Sequence, residues 1–268
     1  ISLGFQISWK KVVSPSTRVE FLGVLIDSVA GTASLSPVKL AKLYDKLCVF
    51  SDKTRASKRQ LQSLAGSLNW ACQVVLGGRY FLRRILDSIA RLKEPSHKCK
   101  LTTDFRADLQ WWLDYMQCFN GTCFYREVDT VCLLSDSSTD GAGVFAGGVW
   151  HYINWLVDFP GLSKLHINFK EVLAAILGVL RFAPRLAGCD ITIVTDSTAA
   201  KGILNRGRSG NPVVMEWLRR LFWSCARYNL RIRAIHCPGS LHHIPDAISR
   251  LTEAGQALRF HSLLQNWH

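Results

Sequence analysis

Val131-Cys132-Leu133-Leu134-Ser135-Asp136-Ser137-Ser138-Thr139-Asp140-Gly141-Ala142-Gly143 decides the fold. Residues 128–135 read as a buried strand, and Asp136 stands at its end. Asp140-Gly141 then has the chemistry of a turn, which makes Asp140 a structural residue rather than a rival ligand. Working outward, residues 141–150 and 152–158 read as a second and third strand. A long apolar helix covers about 168–186, and residues 191–195 form a short buried strand. Helices at 197–205 and 212–227, a strand at 230–236 and a short helix at 245–251 complete the run. That succession of elements belongs to a mixed α/β sheet.

Carboxylates fall where such a sheet places its chemistry. Asp196 follows Ile191-Thr192-Ile193-Val194 as Asp136 follows Val131-Cys132-Leu133-Leu134. Neighbouring parallel strands aim the same end at the same cleft. Glu171 precedes an apolar helical stretch (Val172, Leu173, Ala175, Ile176, Leu177), so it can point back at the sheet. Asp246 opens the last short helix. Acids brought together in this way repel unless protonated or bridged by cations. A set of oxygen ligands suits magnesium or manganese and not zinc. Singly, each acid has a plainer reading: Asp136 starts a turn, Asp196 or Asp246 caps a helix, and Glu171 pairs with a lysine. Their order and placement together favour a metal site.

Composition narrows the classes. The chain has 268 residues, 48% of them hydrophobic, enough for one large domain or two smaller ones. No apolar run approaches the roughly 20 residues needed to span a bilayer. Ile1-Ser2-Leu3-Gly4-Phe5 lacks the charged start and apolar stretch of a signal peptide, and it lacks Met, as expected of a piece of a longer polypeptide. The nine cysteines form no CxxC pair, so they read as buried free thiols of a reducing compartment rather than a disulfide framework. His236, Cys237, His242 and His243 match no common zinc spacing. The location implied is intracellular, cytoplasmic or nuclear.

The net charge is +13. Residues 39–100 carry 14 basic and 4 acidic side chains, whereas residues 129–252 carry 13 and 9. A segment so basic suits a polyanionic partner, through counterion release from phosphates, although a solvated surface has the same composition. Ahead of it, residues 12–13, a Ser14-Pro15-Ser16 turn and residues 19–27 suggest a hairpin with a mostly buried second strand. Residues 28–36 read as a connector. Helices follow from Ser36-Pro37, from Ser57, over 78–92 and over 103–119. In the third, Arg79, Arg83, Arg84 and Arg91 lie mostly outward.

Residues 129–252 resemble the RNase H domain of a retroelement reverse transcriptase. Leu134-Ser135-Asp136-Ser137-Ser138-Thr139-Asp140-Gly141-Ala142-Gly143 is similar to that family's first motif. Ile167-Asn168-Phe169-Lys170-Glu171-Val172-Leu173-Ala174 resembles its helix motif and Val194-Thr195-Asp196-Ser197 its third. Pro238-Gly239-Ser240 through Ile244-Pro245-Asp246-Ala247-Ile248-Ser249-Arg250 resembles the closing motif of retrotransposon enzymes, and the chain as a whole is similar to tyrosine-recombinase retrotransposons of the DIRS type. Phe21-Leu22-Gly23-Val24-Leu25-Ile26-Asp27 looks like the strand at the end of a polymerase palm, and the basic helices look like a thumb or connection region.

The resemblance implies palm-end strands at 1–36, a helical basic thumb or connection region at 37–125, an RNase H domain at 126–253 and a C-terminal tail at 254–268. It implies an RNase H-like mixed five-stranded sheet flanked by helices and a metal-dependent endonuclease that cuts the RNA strand of an RNA–DNA hybrid. Asp136, Glu171, Asp196 and Asp246 would hold two Mg2+ ions, or Mn2+ in their place. Asp136 would bridge both, Glu171 and Asp196 would complete one site, and Asp246 the other. Ser137, Ser138, Asn168, Ser197, Arg79, Arg83 and Arg84 would contact the hybrid, where RNA is told apart by its 2′-hydroxyl. Ser240 stands where many relatives carry a histidine, leaving His242 and His243 as possible auxiliaries. No paired-Asp polymerase motif occurs, so polymerase palm and fingers upstream in the same polyprotein are the implied partner. The alternatives are a catalytically silent nucleic-acid-binding fragment or domesticated remnant, and a DNA-strand nuclease or integrase of the same topology.

Overall fold

The computed structural model describes residues 4, 8, 9 and 12–265. Most of the N-terminal stretch just quoted, and residues 266–268 of the expected tail, lie outside the described residues. The chain divides into two compact units, Ile1–Arg126 and Glu127–His268.

The first unit begins with β1 (Arg18–Phe21) and β2 (Val24–Asp27), then β3 (Thr32–Leu35) and α1 (Pro37–Ser51). β4 (Arg55–Ser57), α2 (Lys58–Ala71), a short 3-10 turn (Gly78–Phe81), α3 (Arg83–Ala90), β5 (Lys98–Lys100), α4 (Thr103–Tyr115) and β6 (Thr122–Cys123) follow. The expected continuous strand over 19–27 is instead a hairpin. Leu22 and Gly23, at φ 52° and 84°, fold the chain back, as two-residue turns between antiparallel strands require. Its second strand is half-buried and Phe21 is exposed, so the expected buried strand is absent there. The strand that does bury residues is β3, through Ala33 and Leu35, within the expected connector.

Helix starts follow local chemistry. Pro37 occupies the first turn of α1, where its missing N–H costs nothing. Ser57 and Gln60 make a reciprocal capping box on α2. Leu47, Leu61, Leu64, Leu68, Ile85, Phe105 and Trp112 make the core of this unit. The Trp112 indole N–H donates to the Phe81 carbonyl at 3.0 Å.

The second unit runs β7 (Thr130–Ser137), β8 (Gly141–Ala146), β9 (Val149–Asn154), α5 (Trp155–Asp158), α6 (Ile167–Phe182), β10 (Asp190–Thr195), α7 (Thr198–Arg206), α8 (Pro212–Arg227), β11 (Arg231–His236), α9 (His243–Ser249) and α10 (Gln256–Gln265). Its five strands lie in the order β11-β10-β7-β8-β9. β11, β10 and β7 are parallel, and β7, β8 and β9 antiparallel. This is the expected mixed five-stranded sheet flanked by helices. One boundary differs: the turn between the second and third strands is at Gly147-Gly148, both at positive φ, so the third strand starts at Val149 and includes Trp150. Asn154 then caps a single helical turn over the last residues of the expected third strand.

α6 is apolar all round because it is covered all round. It packs on β7 and β8 and against α7 and α8. Each fully buried Leu, Ile or Val there stabilises the fold by about 1.5–3 kcal/mol. β8 presents Val144 to Gly178 of α6 and Gly143 to α9. Successive strand residues face opposite ways, so the two helices lie on opposite faces of the sheet.

At the outer strand β11, the Asn205 amide donates to the Ala234 carbonyl and accepts from the Ala234 N–H, both at 2.8 Å. The expected tail is also not a loose segment: α10 inserts Phe260, 1% exposed, among Phe145, Ile244, Ala247 and Ile248. The sequence signal was a lone aromatic on a short helix, too little to show what it packs on. The cysteines depart from expectation as well. Cys72 is buried, its thiol pushed up to about 12 by burial, whereas Cys118, Cys123 and Cys132 are exposed. Among the described residues no helix is long and apolar enough to cross a membrane.

Candidate active site

Asp136 lies near the end of β7, paired across the ladder with Gly143. It is 6% exposed, and Ser249 Oγ donates to its Oδ2 at 2.7 Å. Burial raises its pKa, opposed by the Ser249 hydrogen bond and reinforced by Asp196 and Asp246. Asp196 is the first residue after β10, the parallel neighbour of β7. The strand ends therefore bring the two acids together as the sequence pattern required.

Glu171 arrives from the second turn of α6 and is also buried. It accepts a hydrogen bond from the Ser137 backbone N–H, but Oε2 has no partner. Its carboxyl is pushed up to about 9, first by burial and then by Asp136 and Asp196. The plain reading of a Glu–Lys pair fails for the neighbouring lysine, because Lys170 Nζ donates to the Thr139 carbonyl at 2.6 Å. Asp136, Glu171 and Asp196 each offer an oxygen, all within 4.8 Å of one another. Three hard oxygen donors, one of them a buried acceptor without a donor, fit a divalent cation. No other such group of His, Cys, Asp or Glu occurs among the described residues.

Asp246 stands apart from the three. Arg250 Nε donates to its Oδ1 at 3.0 Å and Arg259 Nη1 to its Oδ2 at 2.7 Å. Sequence reasoning missed Ser249, Arg250 and Arg259. The first two lay within the closing motif at helical spacing from Asp246, but Arg259 reaches it from the next helix.

The expected nucleic-acid contacts divide. Ser137 and Ser138 face inward, which corrects their assignment. Trp155 Nε1 donates to Ser137 Oγ at 3.2 Å, and Ser138 Oγ donates to the Ser249 carbonyl at 2.8 Å. Asn168 is exposed at the start of α6. Ser197 caps α7, its Oγ accepting from Ala200 N–H. His242 is 1% exposed, and its Nε2 donates to the Ser135 carbonyl at 2.9 Å. It holds the end of β7 from inside, so of the two candidate auxiliaries only His243 faces solvent. His236, also considered for zinc, turns Nε2 to the Asp196 carbonyl at 3.0 Å.

In the first unit, Arg79 is exposed, but Arg83 and Arg84 are ion-paired. Arg83 pairs with Asp87 at 2.7 Å and Arg84 with fully buried Asp108 at 3.2 Å. Arg83 stays at the surface in an i,i+4 pair, whereas the buried carboxylate of Asp108 draws Arg84 inward. Exposed cations lie instead on α1, where Lys39 and Lys42 line a groove of about 680 Å³ with Gln62, Gly66 and Trp70. Lys46, in the same groove, donates to Ser63 and Ser67.

The raised carboxyl of Glu171 fixes a pH dependence. An acid whose pKa rises on folding binds more protons in the folded state, so stability falls as pH increases between the two values. In EDTA, the melting temperature is expected to fall from about pH 4.5 to about pH 9. Glu171→Gln should flatten that slope in a calorimetric pH series. An equal slope in the variant would mean that Glu171 is not the strained acid.

No family model matches the chain, and no curated protein matches it. Among solved structures, it is similar to the foamy viral protease-reverse transcriptase in complex with dsDNA at 14% identity and TM-score 0.36, covering 84% of this chain and 45% of that one. It is similar to the same protein in complex with an RNA/DNA hybrid at 15% identity and TM-score 0.37, covering 82% and 29%. RNase H1 from the halophilic archaeon Halobacterium salinarum NRC-1 is similar at 17% identity and TM-score 0.33, covering 45% and 94%. The chain spans less than half the length of these foamy viral chains. Likeness of this degree leaves the function of the site to its own geometry.

Proposed function

We propose that the Glu127–His268 unit is a divalent-cation-dependent ribonuclease that hydrolyses the RNA strand of RNA–DNA hybrids in the replication of a retroelement. The observation that carries this reading is the group Asp136, Glu171 and Asp196, with its buried and unpartnered Glu171 oxygen. Asp136 and Asp196 present their carboxylates from parallel strand ends, and α6 adds Glu171 across the same opening. Ser249 fixes the orientation of Asp136 through Oδ2. Bound Mg2+ or Mn2+ would supply an activated water and stabilise the leaving oxygen of a phosphodiester. The residues present need only hold and orient; no side-chain nucleophile is required.

Substrate specificity rests on the sequence motifs. Asn168, exposed beside Glu171, is the proposed contact to the hybrid, with Ser197 at the start of α7. In the first unit, Lys39, Lys42 and Arg79 are the proposed phosphate contacts, since Arg83 and Arg84 already have acidic partners. A reverse-transcriptase origin, an upstream polymerase portion and a DIRS-type affiliation are part of the same proposal and rest on the quoted motifs.

The test is cleavage of labelled RNA–DNA hybrid with Mg2+, with Mn2+ and with EDTA, beside single-stranded RNA and duplex DNA. Metal-dependent loss of the hybrid's RNA strand alone is expected. Salt-sensitive binding without cutting would favour the silent binding module, and cutting of duplex DNA would favour the DNA-strand nuclease.

A further inference from the structure

We propose that Arg259, on the C-terminal helix α10, is a positioning residue that holds Asp246 back from the carboxylate cluster until a phosphate of the incoming nucleic acid draws its guanidinium away. This rests on the metal-dependent reading above. Asp246 belongs beside the site by its place in the chain. Ser249 Oγ lies 2.7 Å from Asp136 Oδ2 and 2.9 Å from the Asp246 carbonyl, so one hydroxyl links the helix of Asp246 to the central acid. Yet both Asp246 oxygens are taken by guanidinium groups, Arg250 on Oδ1 and Arg259 on Oδ2.

The two arginines differ in origin. Arg250 lies four residues along from Asp246, so its bond is local. Arg259 comes from beyond the turn at Gly255, where φ is 82°. Its position is set by the next residue, Phe260, which is 1% exposed and packs edge-on against Trp150 at 5.0 Å. Gln256 Oε1 accepts a further bond from Arg259 Nη1 at 3.2 Å. The arm is thus seated by apolar packing and delivers its charge to Asp246.

A dication seeking Asp246 would meet two positive groups, and to gain Oδ2 it must displace a 2.7 Å charge-assisted bond. A phosphate offers Arg259 an alternative partner of matching geometry. The side chain of Arg259 is 39% exposed, so such a partner can reach it. Withdrawal of Arg259 frees Asp246, and the second ion is then favoured only when substrate is present.

Mn2+ titration of the full chain without nucleic acid, followed by the EPR signal of free ion and by calorimetry, tests this without reference to activity. The wild type should show one tight class of site and one weak class. Arg259→Gln should tighten the weak class about tenfold, the size of an ordinary coupling between sites, and leave the tight class unchanged. Arg259→Lys, which keeps the charge but not the fork, should give a smaller gain. The gain should vanish in Asp246→Asn/Arg259→Gln. Melting in EDTA checks that Phe260 still seats α10. A weak class unaltered in Arg259→Gln and Arg259→Lys, or equal tightening without Asp246, overturns the proposal while leaving the tight site intact. Absence of any Mn2+ binding overturns the metal reading and this inference with it.

Discussion

Asp136→Asn should abolish hybrid cleavage and, in EDTA, stabilise the protein. Asp136 is the carboxylate that both neighbours crowd. It is buried, it shares a 4.8 Å cluster with Glu171 and Asp196, and its pKa is raised by that burial and by the acids around it. The charged form of Asp136 therefore works against the metal-free fold, and a neutral amide of the same shape relieves the strain. The amide oxygen can still accept from Ser249 Oγ. Losing one ligand of the ion-binding group removes several kcal/mol of transition-state stabilisation, so a fall of about 10³-fold or more in rate is expected. Each kcal/mol of relieved repulsion should raise the melting temperature by about 3–4 °C for a unit of this size. Single-turnover cleavage and thermal melts of the same preparation measure both. A variant that still cuts would remove Asp136 from the site.

Gly143→Ala should cost about 3 kcal/mol, the upper end of ordinary overpacking, and should also damage the site. A Cβ at Gly143 would come within 2.4 Å of the Pro245 carbonyl, 2.6 Å of Ile248 Cβ and 2.6 Å of the Ser249 backbone nitrogen. Two of those atoms belong to the backbone of α9, so the helix must retreat as a whole. Ser249 and Asp246 move with it, and the hydrogen bond to Asp136 lengthens. Urea unfolding gives the stability change, and Mn2+ affinity of the folded variant gives the effect on the site. Gly161→Ala is the control, because a Cβ there has open space around it. Equal midpoints for the two variants would mean that α9 does not rest on Gly143 as described.

The carboxylate cluster was legible because it follows from strand ends and one helix start, both visible as local apolar runs. Asp136, Glu171 and Asp196 converge for that reason. Asp246 was legible as a motif residue but not in its surroundings, since Arg259 lies thirteen residues further on and reaches it only because Phe260 is buried. The same limit explains Arg84. Its helical face looked outward until Asp108, twenty-four residues away, placed a buried carboxylate beneath it. Ser137 and Ser138 looked like surface hydroxyls next to a catalytic acid. They serve instead as struts for Trp155 and Ser249, contacts that no spacing rule foretells. The sheet itself was read correctly as mixed and five-stranded. Its misplaced hairpin had a signal in plain sight, Gly147-Gly148, the pair of residues that most easily adopts positive φ.

The paired hydrogen bonds of Asn205 to Ala234 bear on self-association. An outermost strand presents unsatisfied N–H and C=O groups that invite another chain to dock as an additional strand, the route to edge-to-edge aggregation. Here one side-chain amide answers both groups of Ala234 as a neighbouring backbone would. A copy of this protein approaching along β11 finds the middle of the strand already occupied, so the parallel edge of the sheet is closed to recruitment at that point by a single asparagine.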